Sequence, residues 1–125
     1  RWTLNALITA EELGVSSANL DEMAAGSNNP EINRLLGTEG DLGAMLGLDK
    51  EWAKRAIAVG GNYAEIFNAN IGPDTAIGLG RGVNALWTDG GILYTDHLVS
   101  RVIDAWDRRG TLDDTVFVIA QRVVV

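Results

Sequence analysis

The chain has no cysteine, one histidine and two prolines in 125 residues. The missing cysteine removes disulfides, thiolate metal sites and cysteine nucleophiles together, although it identifies no redox compartment. No apolar run approaches the length of a membrane span. Basic residues are few, and the formal charge is −7. They are also scattered, with Lys50, Lys54 and Arg55 in one small group and Arg108 and Arg109 in another. Nucleic-acid binding needs clustered Lys and Arg, so the balance argues against a phosphate-backbone partner. An acidic surface is equally unsuited to anionic membranes, and its simplest role is solubility. The opening Arg1-Trp2-Thr3-Leu4-Asn5 lacks a signal-peptide layout. It reads as a helix met partway through, as expected of a piece of something longer.

The length fits one domain with a modest core, and the ordinary hydrophobic fraction favours folding over disorder. Trp2, Ala6, Ala10 and Leu13 form one helical stripe, broadened by Leu4, Leu7 and Ile8. Gly14 supplies a left-handed stop. A short helical turn follows around Leu20 to Ala25, with Asn19 and Glu22 at the spacing of a capping pair. Asn29-Pro30-Glu31 combines cap, proline and first-turn acid, and predicts a helix ending at Gly37. Glycines 40, 43 and 47 allow only short helix or turn. Asp49 is placed to cap a helix whose face is Trp52, Ala53, Ala56 and Ile57. After Gly60-Gly61, Asn62 can cap a segment packing Tyr63, Ile66 and Phe67.

Gly72-Pro73-Asp74 breaks the chain again. A short helix is expected over Val83 to Trp87, stopped by Asp89-Gly90-Gly91. An amphipathic helix from Thr95 or Asp96 to Arg109 presents Leu98, Val99, Val102, Ile103 and Trp106 on one face. The β-branched run Thr115 to Val125 reads as a buried strand. The architecture expected is therefore mainly α with a C-terminal β-strand that seeks a partner edge.

Candidate chemistry is thin. His97 falls in the first turn of an amphipathic helix beside Asp96, which fits a surface or capping role better than a general base or metal ligand. Asp104, Asp107, Asp113 and Asp114 match no calcium loop and read as a solvated face and a turn. Gly78-Leu79-Gly80-Arg81-Gly82 lacks the strand-turn-helix context of a phosphate loop. Trp2, Trp52, Trp87 and Trp106 are expected in the core. No catalytic residue, metal ligand or cofactor site follows, and the expectation is that the chain is not an enzyme.

Two phrases carry a resemblance: Asn62-Tyr-Ala-Glu-Ile-Phe and Arg81-Gly-Val-Asn-Ala-Leu-Trp-Thr-Asp-Gly-Gly-Ile-Leu-Tyr. With Arg1-Trp-Thr-Leu, Ala10-Glu-Glu-Leu-Gly-Val and Leu35-Leu-Gly-Thr-Glu-Gly-Asp-Leu-Gly, they make residues 1–94 resemble one family. It is the C-terminal part of periplasmic solute-binding proteins serving general L-amino-acid ABC transporters. Gly60 and Ala64 stand where family members usually carry valine and glycine. The resemblance implies a fragment of a two-lobed α/β periplasmic-binding-protein-like fold that closes over a polar L-amino acid. It further implies an ABC permease as partner, a periplasmic location and no covalent chemistry. The segments that clamp the ligand lie upstream in that family, so no ligand-binding residue carries over, and nothing singles out Arg1, Arg34 or Arg81 for a substrate carboxylate. The expected function is a non-catalytic segment unable to bind ligand alone.

Residues 94–119 are instead similar to the helix-turn-strand preceding a metal-binding motif in sulfatases and alkaline-phosphatase-like hydrolases. There the strand leads to a Ser-Asp-His-Gly-like sequence. This chain continues Ala120-Gln-Arg-Val-Val-Val and has no upstream nucleophile motif, so the likeness implies at most an inactive hydrolase fragment. A third reading is a structural or interaction module prone to self-association. The boundary between segments 1–94 and 95–125 marks the expected organisation.

Overall fold

A computed structural model describes residues 2–40 and 42–95. The chain divides into two compact units, Arg1–Arg81 and Gly82–Val125. Within the described part of the first unit run six helices: α1 (Trp2–Glu12), α2 (Leu20–Gly26), α3 (Pro30–Leu36), α4 (Leu42–Met45), α5 (Trp52–Gly60) and α6 (Tyr63–Asn70). Beyond Thr95 the expected helix to residue 109, the strand over 115–125 and Trp106 lie outside the described residues.

Helix boundaries follow the local signals. At the end of α1 the Val15 amide donates to the Ala10 carbonyl and the Gly14 amide to Glu11, with Gly14 at φ 70°. This is the Schellman pattern, and both Ala10 and Val15 are buried across it. The end of α3 repeats it: Gly37 at φ 78° donates to Arg34, and Thr38 donates to Asn33. At the start of α3 the Asn29 side chain accepts from the Glu31 amide, with Pro30 behind it.

Two expected caps are different. The Asn19 side chain makes no cap bond; it accepts from the Ser16 amide and donates to the Gly14 carbonyl instead. The preceding turn competes for the same amide and wins. Asp49 likewise orders a turn rather than capping α5, accepting from the Glu51 amide while its own carbonyl receives Trp52.

α1 is the central element, packing against α3, α5 and α6. The core gathers Ala10, Val15, Leu20, Ile32, Leu36 and Ile57, with Leu7, Leu13, Met23, Ala24 and Leu35 against it. Each fully buried Ile or Leu contributes about 1.5–3 kcal/mol over an exposed one. The three described tryptophans stay largely out of it. Trp2 is 46% and Trp87 52% exposed, and Trp52 is only half-buried. Helical spacing placed Trp2 on the same stripe as Ala6 and Ala10, but the first turn, Trp2 to Leu4, is exposed.

In the second unit the helix expected over Val83 to Trp87 is replaced by two 3₁₀ turns, Gly82–Asn84 and Trp87–Asp89. Between them Leu86 pairs with Leu93 in an isolated bridge. The Val83 and Ala85 carbonyls receive the amides of Ile92 and Leu93, and the Trp87 amide donates to Leu93. Those backbone groups therefore serve pairing between distant positions and not an α-helical ladder.

Candidate functional site

Two polar clusters in the first unit bring together residues far apart in sequence. The first centres on Arg81. One of its terminal nitrogens lies 2.9 Å from Glu11 Oε1 and 3.0 Å from Oε2. Its guanidinium carbon lies 5.3 Å from the Tyr63 ring centre and 5.4 Å from that of Phe67. Tyr63 and Phe67 stand four residues apart on α6 and so share a face. Glu11 projects from the last turn of α1. The loop after α6 delivers Arg81: the Thr75 amide and hydroxyl both donate to the Gly72 carbonyl, and the Leu79 amide donates to Ile71.

Arginine stays charged at any working pH, and its flat, weakly hydrated face suits aromatic rings. A substrate carboxylate would call for an arginine fork, and a substrate ammonium for a carboxylate. Here each of those groups engages the other. The arrangement holds the loop onto α1 and α6; it is built for position.

The second cluster is a clasp on Glu65. Its carboxylate accepts from the Ser17 amide at 3.0 Å, from the Ser17 hydroxyl, and from the Asn62 amide at 2.7 Å. Asn62 in turn accepts from the Glu65 amide, completing a capping box at the start of α6. The Asn62 side-chain amide also donates to the Val15 carbonyl at 2.9 Å, 47 residues earlier. Burial pushes the Glu65 carboxyl up, but hydrogen bonds from the Ser17 hydroxyl, the Asn62 amide and the Ser17 amide outweigh it, and the net shift is downward. Glu65 is thus held ionised, as a bolt between α6 and the loop after α1.

Of the residues weighed from sequence, Arg34 lies exposed on α3. The glycines at 78, 80 and 82 lie in exposed loop ahead of and into the first 3₁₀ turn. Arg1, His97, Asp104, Asp107, Asp113 and Asp114 fall outside the described residues. Among the described residues no group of three His, Cys, Asp or Glu side chains is placed to hold a metal ion. No helix among them is long and apolar enough to cross a membrane. Sequence reading placed Asn62 as the cap of α6 but missed its partners Glu65, Ser17 and Val15, and missed the Arg81 cluster altogether. For Glu65 a signal existed in its spacing of three from Asn62, whereas the partnership of Arg81 with Glu11 leaves no local trace.

No family model matches the chain. Over 94 residues it is 60% identical to the glutamate/glutamine/aspartate/asparagine-binding protein BztA of Rhodobacter capsulatus, covering 75% of this chain. It is 52% identical over 95 residues to the general L-amino acid-binding periplasmic protein AapJ of Rhizobium johnstonii, covering 74% of this chain. It is 49% identical over 94 residues to the putative amino-acid ABC transporter-binding protein YhdW of Escherichia coli. The chain spans 28% of the length of each of these relatives. A solved ABC transporter periplasmic binding protein from Brucella ovis, with glutathione bound, superposes with a TM-score of 0.70 at 51% identity. That match covers 75% of this chain and 30% of that one.

Proposed function

We propose, from its partial homology to the periplasmic binding proteins of amino-acid ABC transporters, that this chain supplies a non-catalytic structural part of such a protein. The observation that carries this reading is the 60% identity over 94 residues to a protein named for binding glutamate, glutamine, aspartate and asparagine. A polar L-amino acid is then the cargo of the whole, an ABC permease its partner and the periplasm its location. The part represented here gives shape and no ligand contact by itself. Support for that division comes from Arg81 and Glu11, whose charges face each other, and from Glu65, whose carboxylate is filled by Ser17 and Asn62.

Isothermal titration of the chain with L-glutamate, L-glutamine, L-aspartate and L-asparagine tests the proposal. The expected outcome is no binding heat with any of the four. Micromolar binding of even one would overturn it.

A further inference from the structure

In the second unit the turn Trp87–Asp89 runs into Gly90 and Gly91. Asp89 and Gly90 are exposed, and no other aspartate or asparagine in the chain precedes a glycine. That order of residues has a chemical consequence. A backbone amide nitrogen can attack the side-chain carboxyl of the residue before it, and glycine, with no Cβ, leaves the approach open. After Asp74 and Asn84 come Thr75 and Ala85, whose Cβ atoms crowd the same nitrogen.

We infer that Asp89 is a site of spontaneous isomerisation to isoaspartate, gated by the turn it closes and ending in loss of the pairing of Leu86 with Leu93. In the first step the Gly90 nitrogen bonds to Asp89 Cγ. The protonated carboxyl gives up its hydroxyl, which leaves as water with the amide proton, and a five-membered succinimide ring results. In the second step water adds to one of the two ring carbonyls. Opening at Cγ restores aspartate. Opening at the former main-chain carbonyl routes the chain through Cβ and Cγ and frees an α-carboxylate. Water is lost and regained, so the mass is unchanged and no other reactant is needed.

The folded turn stands against the first step. The Asp89 amide donates to the Leu86 carbonyl at 2.9 Å and the Gly90 amide to that of Trp87 at 3.2 Å. In a 3₁₀ turn ψ is about −20 to −30°, and closing the ring requires a rotation of roughly 90° about the Asp89 Cα–C bond. That rotation breaks the Gly90 bond, the longer of the two. Reaction therefore follows opening of this one turn and not of the whole chain.

The product lengthens the main chain by one atom between Asp89 and Gly90. Just beyond, the Gly91 amide donates to the Leu86 carbonyl at 2.9 Å, and a Cβ on Gly91 would run into the Ala85 carbonyl. Main chain packed that closely has no slack to take up the extra atom. The Leu93 amide then loses Ala85, and the Trp87 amide loses Leu93.

The test ages the chain in warm neutral buffer, native and in parallel unfolded in urea. Labelling by a protein isoaspartate methyltransferase reads the product, located in the tryptic peptide Gly82–Arg101. Amide hydrogen exchange reads the pairing. Isoaspartate is expected at Asp89 ahead of every other aspartate, about 2- to 10-fold more slowly in the native chain than in urea, as one hydrogen bond would hold it. Asp89→Glu, whose ring would need six members, is expected to remove the signal from that peptide. The Gly91 and Leu93 amides are expected to lose protection in the isoaspartate fraction only.

Equal rates in the native and unfolded chain, or no native reaction at all, overturn the inference. So does a signal at Asp89 no greater than at the other aspartates, or one that survives Asp89→Glu. An isoaspartate form that keeps the Gly91 and Leu93 amides protected overturns it as well.

Discussion

Arg81 and Glu11 stand 70 residues apart in sequence and 2.9 Å apart in space, with one arginine nitrogen serving both carboxylate oxygens. Their side chains are 19% and 12% exposed, so the charges are mostly removed from water. A pair in that position contributes less by its attraction than its loss would cost, since removing one member strands the other.

Arg81→Ala is expected to cost about 2–4 kcal/mol in urea unfolding, somewhat under the full penalty of a dry pair because some solvent reaches it. Arg81→Lys keeps the charge but loses the planar face lying over Tyr63 and Phe67. It should recover no more than half of that loss. Combining Arg81→Ala with Glu11→Gln should be less costly than the sum of the two, by about 1–2 kcal/mol. Strict additivity would show that the two residues do not interact in solution.

Glu65 makes stability depend on pH. Its carboxyl is held below the ordinary value of 4.5 by the Ser17 and Asn62 hydrogen bonds, in spite of burial. A folded-state value below the unfolded one means the group stabilises the fold above about 4.5 and loses that contribution as pH falls through the lower folded value. Glu65→Gln should therefore be less stable than the parent at neutral pH by only about 0.5–1 kcal/mol, because solvent screens a carboxylate this near the surface, and the gap should narrow below pH 4.5. Ser17→Ala should shift the same titration upward. Chemical unfolding at several pH values reads both. A gap that stays constant from pH 7 to pH 3 would sink the idea.

How much of this was legible follows from the range of each signal. Asn29, Asn62, Gly14 and Gly37 act on groups within a few residues, and their roles stood in the sequence. Asn19 was misread although it too is local, because two local partners compete and only geometry decides between them. The exposure of Trp2 and Trp87 was not legible. Periodicity says which residues share a face but not how far the neighbouring elements reach along it. The Arg81–Glu11 and Glu65–Ser17 links, 70 and 48 residues long, depend on tertiary placement that no spacing encodes. Most of the fold's helices were readable, and so was the Asn62 cap within the Glu65 cluster; the long-range links of both clusters were not.

Gly37 and Gly14 share a left-handed backbone but differ in surroundings. A Cβ on Gly37 would lie 2.1 Å from the Lys50 carbonyl oxygen, whereas one on Gly14 would meet nothing within 4 Å. Gly14→Ala should therefore cost only the backbone strain, about 1–2 kcal/mol. Gly37→Ala adds a clash with main chain that cannot swing aside, and should cost at least about 1 kcal/mol more. Thermal and urea unfolding of the two variants side by side separates strain from sterics. Equal losses would mean that α3 and the 49–50 turn are not in contact in solution.

Ile57 and Val59 give the sharpest contrast within one helix. Ile57 is fully buried in the core beside Ala10, Val15 and Leu36, while Val59, two residues on, is 92% exposed. Ile57→Ala removes three carbons from a packed site and leaves a void, so a loss of about 2–4 kcal/mol is expected. Val59→Ala removes nothing that packs and relieves the crowding of a β-branched residue on a helix, for a change of about 0 to +0.5 kcal/mol in stability. The two substitutions differ by only one methylene in what they delete, so deleted apolar bulk alone would predict nearly equal losses. A measured difference of several kcal/mol between them is then evidence for the orientation of α5 itself. If Val59→Ala proved as costly as Ile57→Ala, the buried face of α5 would have to be redrawn, and with it the packing of α1 on which both polar clusters depend.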